Sequence, residues 1–228
     1  MNRIYRSLAI LGTIGALAGI PQTSFARETP RVVAQSNARD LMAQAMQKAQ
    51  QGDIRGAIAD YSQAIQLNPN NAEAYIGRGN LLSRTGQQSE AIADYTQALR
   101  LNSSTIEAYI GRGSAHSAMG NQEAALEDYN EALSRNPNYV EAYIGRGSVL
   151  ALQEEYDKAI EDFDRALRLN PGEAAAYYNR GSVRLIQEKT EEAIADFQQA
   201  AQLFRSQGNL PLANRTDAIV EQLQNREE

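Results

Sequence analysis

The sequence predicts an all-α protein built of repeated helical hairpins, on three observations. The segment EAYIGRG stands at residues 73–79, 107–113 and 141–147, and a looser copy, AAYYNRG, at 175–181, so it recurs every 34 residues. A fixed period between about 20 and 50 residues marks a repeat architecture. Alanine recurs on the same period at Ala57, Ala91, Ala125, Ala159 and Ala193, followed four residues later by Tyr61, Tyr95, Tyr129, Phe163 and Phe197. A second alanine follows three residues after each aromatic, at Ala64, Ala98, Ala132, Ala166 and Ala200. That 4-then-3 spacing is one face of a helix. Finally, 43% of the 228 residues are hydrophobic, which suits a folded chain.

With residues 72–105 as one unit, the others are 38–71, 106–139, 140–173 and 174–207, and the five fill 38–207 without a gap. Each unit reads as a first helix carrying the AYIGRG segment, a turn, and a second helix carrying the alanine and aromatic face. Gly52, Gly86 and Gly120 open the first three turns, because glycine ends a helix by accepting positive φ. Units four and five place Glu154-Glu155 and Glu188-Lys189 there, so these two turns are expected to close differently. Pro69, Pro137 and Pro171 stop three of the second helices. The fifth has Arg205 in place of proline and is expected to run on to Gln207. Past a break at Gly208-Asn209, Leu212 to Gln224 reads as a further helix with Ala213, Ile219, Val220 and Leu223 as its apolar stripe. Residues 208–228 are thus a capping helix and tail, and 27–37, which lack periodicity, are expected to be a flexible lead-in.

At the N-terminus, Arg3 and Arg6 precede an uncharged apolar run from Leu8 to Ile20, followed by Ser24 and Ala26 at the small-residue positions a signal peptidase needs. Residues 1–26 are therefore expected to be a secretory signal peptide cut before Arg27, leaving the chain in a periplasm or equivalent lumen. The alternative is that residues 1–26 stay in place as a membrane anchor. The 13-residue apolar run is short against the roughly 20 residues that span a bilayer.

Composition narrows the chemistry. There is no cysteine, which excludes a disulfide framework, a thiol nucleophile and a thiolate metal site, and the single histidine excludes a histidine pair. The net charge of −6 argues against a nucleic-acid partner, which calls for a basic face. GRG is no dinucleotide fingerprint either: the residue three after the second glycine is Leu82, His116, Leu150 or Arg184, and the segment lies inside a helix. No HExxH, Walker loop or GxSxG is present, so neither catalysis nor a cofactor is expected.

These positions resemble the tetratricopeptide repeat family over 170 of the 228 residues. The family's first-helix aromatic is matched by Tyr75, Tyr109, Tyr143 and Tyr177, and its first-helix glycine by Gly79, Gly113, Gly147 and Gly181. Unit one departs, with Leu41 and Ala45 there, as a terminal unit without a neighbour on one side can. The resemblance implies a right-handed superhelical solenoid of five stacked units with a concave groove that binds protein or peptide segments.

The family's groove positions fall here on Glu73, Ile76 and Asn80 in unit two, Glu107, Ile110 and Ser114 in unit three, and Glu141, Ile144 and Ser148 in unit four. In unit five they fall on Tyr178, Ser182 and Leu185. Glutamate and isoleucine stand where members that clamp a C-terminal carboxylate carry lysine, asparagine and arginine. The expected partner is therefore an apolar or amphipathic segment with basic flanks, held by a non-enzymatic scaffold, or by a membrane-anchored assembly factor if residues 1–26 remain. A second copy in the groove, by self-association, or the chain's own lead-in is the competing occupant.

Three further patterns carry expectations. Arg78, Arg112, Arg146 and Arg180 recur with Asp60, Asp94, Asp128, Asp162 and Asp196, which suggests a structural ladder, within units or between them. Asn70, Ser104 and Asn138 stand three residues before Glu73, Glu107 and Glu141, a capping-box spacing. Gly77, Gly111 and Gly145 each cost a helix interior about 1 kcal/mol against alanine, and are expected to leave room for a closely approaching ligand.

Overall fold

The computed structural model describes residues 30–225. Helices α1 (Pro30–Gln50) and α2 (Ile54–Leu67) form the first hairpin, and α3 (Ala72–Arg84) and α4 (Gln88–Leu101) the second. The third joins α5 (Ile106–Ala118) to α6 (Gln122–Arg135), and the fourth joins α7 (Val140–Leu152) to α8 (Tyr156–Leu169). The fifth joins α9 (Ala174–Ile186) to α10 (Thr190–Ser206), and α11 (Leu210–Gln224) follows alone. Among the described residues there is no strand. The two helices of each hairpin pack on each other, and each second helix packs on the first helix that follows it, α10 on α11. The first helices of hairpins two to five also touch in succession, α3 with α5, α5 with α7 and α7 with α9, with no comparable contact between second helices. The stack is therefore tighter along its first helices, which places them on the inner side of a helical-repeat solenoid.

The periodic residues explain the packing. All ten recurring alanines of the second helices are fully buried, and Tyr95, Phe163 and Phe197 between them are at most 2% exposed. Burying one such aromatic side chain is worth about 1.5–3 kcal/mol. Close approach within a hairpin needs the second glycine of each GRG. A Cβ on Gly113 would lie 3.3 Å from the Ala125 carbonyl oxygen, and one on Gly147 would lie 3.2 Å from that of Ala159.

The turns hold a surprise. Gly52, Gly86 and Gly120 have φ of 86°, 82° and 80°, and Glu154 and Glu188 adopt the same left-handed geometry at 63° and 61°. The expectation that the last two turns close differently is wrong. The closing bond is the same throughout: Asp53, Gln87, Asn121, Glu155 and Lys189 each donate a backbone N–H to the carbonyl five residues earlier at 2.9 Å. Left-handed backbone costs a non-glycine residue about 1–2 kcal/mol, and here the hairpin's closing bond outweighs that preference.

Other boundaries differ in detail. The expected lead-in at 27–37 is helical from Pro30, a residue suited to the first helical turn, so α1 runs 21 residues where the other first helices run 13. The expected signal peptide at 1–26 lies outside the described residues. Helix α10 ends at Ser206 with Gln207 as its cap. Helix α11 packs on α10 and buries Ala213, Val220 and Leu223, with Ile219 partly covered. It also buries Thr216, which escaped the sequence reading and whose hydroxyl donates to the Leu212 carbonyl at 2.8 Å. No helix among the described residues is long and apolar enough to cross a membrane.

The arginine and aspartate rows form a ladder, and it runs both within and between units. Arg78 Nη2 reaches Asp94, Arg112 Nη2 reaches Asp128 and Arg146 Nη2 reaches Asp162, each at 2.7 Å, and Arg180 Nη2 reaches Asp196 at 2.6 Å. Nη1 of each arginine turns the other way, to the second helix of the preceding hairpin: Arg78 to Ser62, Arg112 to Thr96, Arg146 to Asn130 and Arg180 to Asp164. Each guanidinium thus ties two hairpins together while lying 5.4–5.9 Å from the ring centre of the tyrosine three residues earlier. The first hairpin lacks this arginine, and Lys48 pairs with Asp60 at 2.7 Å instead.

Candidate functional site

The inner face is built by the side chains that α3, α5, α7 and α9 turn away from their second helices. The glycine expected to admit a ligand has a different neighbour. A Cβ on Gly77, Gly111 or Gly145 would come within 2.4, 2.5 or 2.4 Å of a ring carbon of Tyr61, Tyr95 or Tyr129, each from the preceding hairpin. These glycines therefore admit a tyrosine ring, and Gly111 also lines the cavity described below. The fifth hairpin carries Asn179 at this position, and there the preceding aromatic is Phe163, which has no hydroxyl.

The rings pass between consecutive first helices and bring their hydroxyls toward the inner face. Tyr95 donates to Asn80 Oδ1 at 2.7 Å, and the Tyr129 hydroxyl has Ser114 beside it. Burial pushes both hydroxyls up to about 12, so both stay protonated at neutral pH. At the Phe163 junction the polar role moves to Asn179, whose amide donates to Ser148 Oγ at 3.3 Å.

The capping-box expectation does not hold. Helix α3 is capped by Asn71, whose side chain accepts from the Glu73 and Ala74 N–H groups at 3.0 and 3.4 Å. Thr105 and Tyr139 occupy the cap positions of α5 and α7 without side-chain capping bonds. Asn102 and Asn136 instead turn their side chains onto the Ser104 and Asn138 N–H groups at 3.1 and 3.0 Å. Glu73, Glu107 and Glu141 are therefore exposed first-turn acids that still suit the helix dipole.

Of the twelve residues the sequence assigns to the groove, the structure brings five into one cavity of about 600 Å³: Asn80, Glu107, Ile110, Ser114 and Glu141. Ser83, Arg84 and Gly111, the last expected from the sequence to admit a ligand, complete it with Tyr95 and Tyr139, which the sequence did not assign to the groove. Tyr95 had been counted as core, although its hydroxyl already signalled a polar partner. Tyr139 is the aromatic exception at a cap position that elsewhere carries Asn71, Thr105 or Glu173. Burial first, then the charges of Glu107 and Glu141, raise the Tyr139 pKa.

The other seven lie apart from this cavity. Glu73 lines a second cavity of about 640 Å³ between the first hairpins, with Arg39, Met42 and Met46. Ile76 and Ile144 are half-buried and pack into the core between hairpins. Ser148 and Ser182 donate back to the Ile144 and Tyr178 carbonyls at 2.8 Å. Tyr178 meets Phe197 edge-on at 5.4 Å, and Leu185 packs against the same cluster. The inner face of hairpins four and five nonetheless presents Leu152 and Ile186, 62% and 59% exposed, where hairpins two and three have Arg84 and Ala118.

Family models for the tetratricopeptide repeat match residues 110–174 and 153–209, and models for the TPR repeat match 47–86 and 79–120. Together they run from 47 to 209. The chain belongs to the tetratricopeptide repeat family. Members of this family generally act as non-catalytic scaffolds that bind protein or peptide partners. Among solved structures, MamA is 28% identical, with a TM-score of 0.62 over 72% of this chain and 96% of that one. YrrB, described as a TPR protein with an unusual peptide-binding site, is 25% identical, with a TM-score of 0.59 over 84% of this chain and 98% of that one. A thermophilic TPR protein of Thermus thermophilus matches at 21% identity and a TM-score of 0.70, over 79% and 97% of the two chains, and supports the fold alone. No curated protein matches the chain.

Proposed function

We propose that this tetratricopeptide repeat protein is a non-enzymatic scaffold that holds an extended segment of a partner protein against its inner face. The observation that carries the proposal is the cavity spanning hairpins two to four. It joins an apolar floor at Ile110 and Gly111 to polar groups from Asn80, Tyr95, Ser114 and Tyr139, the mixed lining that orients a bound chain. The exposed Leu152 and Ile186 extend an apolar strip beyond it, so the segment is apolar or amphipathic.

Ser114 is exposed on the inner face and lines the cavity. Ser114→Arg is expected to fill the cavity and weaken peptide capture at least tenfold while leaving the helical circular dichroism signal unchanged. Capture at wild-type strength by this variant, measured by titration with selected peptides, would remove the inner face as the binding site. The basic N-terminus, apolar run and Ser24/Ala26 pair support an exported chain released at Arg27. N-terminal sequencing of the mature protein is expected to begin at Arg27; a mature chain beginning at Met1 or Asn2 would favour a membrane-anchored assembly factor.

A further inference from the structure

The cavity of hairpins two to four combines features that no other inward position has. Tyr139 stands as an aromatic wall at its edge beside Glu107, with Glu141 two residues further along the chain. Among the described residues, neither carboxylate forms an ion pair with a base. Arg78, Arg112 and Arg146 give their charges to Asp94, Asp128 and Asp162 on the far side of the first helices. The remaining polar lining from Asn80, Tyr95 and Ser114 supplies oxygens that can accept hydrogen bonds, and Ile110 supplies a surface for a methylene stem. Arg84 is the single base in the lining, at the C-terminal end of α3, whereas Glu107 and Glu141 begin α5 and α7. A helix of this length is about 20 Å long, so the cavity is acidic at one edge and basic at the other. Two carboxylates alone would serve several ligands, but among the described residues no group of three or more side chains could hold a metal ion. Carboxylates beside an aromatic face and an apolar floor match an organic cation.

We infer that this cavity receives a lysine or arginine side chain of the partner segment, its charge between Glu107 and Glu141 and against the Tyr139 ring. The inference rests on the proposed binding of a segment at the inner face and adds the chemistry of its anchoring residue. Both contacts lie at an open surface, so together they favour the cation about tenfold, and less at high salt.

The test is selection of a random nine-residue display library on the full chain, on Ser114→Arg, and on the pair Glu107→Gln with Glu141→Gln. The expected result is enrichment of peptides carrying lysine or arginine on the full chain, lost on Ser114→Arg. On the glutamine pair, such peptides bind about tenfold more weakly, while lysine-to-glutamine versions bind both proteins alike. Peptides that depend on Ser114 but show no basic preference, or a preference that survives the glutamine pair, would overturn the inference and leave the groove standing. A full chain that enriches nothing, or enriches peptides indifferent to Ser114→Arg, would overturn both. Enriched sequences resembling residues 1–26, which carry Arg3 and Arg6, would make the chain's own N-terminal segment the occupant and overturn the assignment to a partner.

Discussion

Asp128→Ala is expected to destabilise the solenoid by roughly 3 kcal/mol, the low end of the range for breaking a buried ion pair. The Asp128 side chain is 4% exposed and that of Arg112 is 22% exposed. Removing the carboxylate therefore strands a largely covered guanidinium, but one that can recover some water. Three bonds disappear together: Arg112 Nε to both Asp128 oxygens at 3.2 and 2.9 Å, and Nη2 to Oδ1 at 2.7 Å. The bond from Nη1 to Thr96 at 3.3 Å and the contact with the Tyr109 ring at 5.7 Å continue to hold the side chain. The hydrogen bonds to Asp128 that raise the Arg112 pKa against burial are lost in the variant, yet an arginine is too basic to escape by losing its proton.

The loss should also spread. Arg112 ties its own hairpin to the one before, and in a linear array stability is a sum of unit terms and neighbour terms. Urea unfolding of Asp128→Ala should then show a lower midpoint and a shallower, less cooperative transition. Pairing Arg112→Met with Asp128→Leu should restore much of the stability, since apolar replacement of a whole buried pair is often neutral. An unchanged midpoint for Asp128→Ala would show that the ladder carries no weight. Asp60→Ala is the internal comparison, because its partner Lys48 is 37% exposed and the cost there should be smaller.

What could be read without coordinates was whatever repeats along one dimension. The 34-residue period located the hairpins, and the alanine and aromatic face located their cores. What escaped depends on how one hairpin sits on the next. Arg112 finds Asp128 sixteen residues ahead and Thr96 sixteen behind, and a row of arginines beside a row of aspartates cannot show that second direction. Glu154 and Glu188 were misjudged because residue identity carries backbone preference, whereas the stack imposes backbone geometry. Of the residues that line the cavity, those that are small or polar at the helix centre, Asn80 and Ser114, were legible. Ile76 and Ile144 were not, because inward-facing residues of one hairpin also fill the seam with the next. Tyr139 broke the repeat at its cap position, and breaks of that kind mark the site better than the repeats do.

The seam itself yields a second large effect, through the coupling of Gly111 to Tyr95. On a solvent-exposed helix face, replacing an interior glycine with a side chain gains up to about 1 kcal/mol in helix propensity. Here a Cβ would lie 2.5 Å from Tyr95 Cζ and 2.8 Å from its hydroxyl oxygen, and Tyr95 is only 1% exposed, so the ring has little room to withdraw. Overpacking of this kind costs about 1–3 kcal/mol, so Gly111→Asn is expected to destabilise against its own propensity. Tyr95→Phe alone should cost about 1 kcal/mol through the lost bond to Asn80. The chain already holds the alternative solution one junction along, where Asn179 follows Phe163. Combining Gly111→Asn with Tyr95→Phe copies that junction, and the double variant should be more stable than the sum of the single losses by about 1–2 kcal/mol. Thermal or urea unfolding of the four proteins measures the coupling directly. Strict additivity would mean that glycine–tyrosine and asparagine–phenylalanine are not paired solutions to one contact, and that the seam tolerates either residue independently.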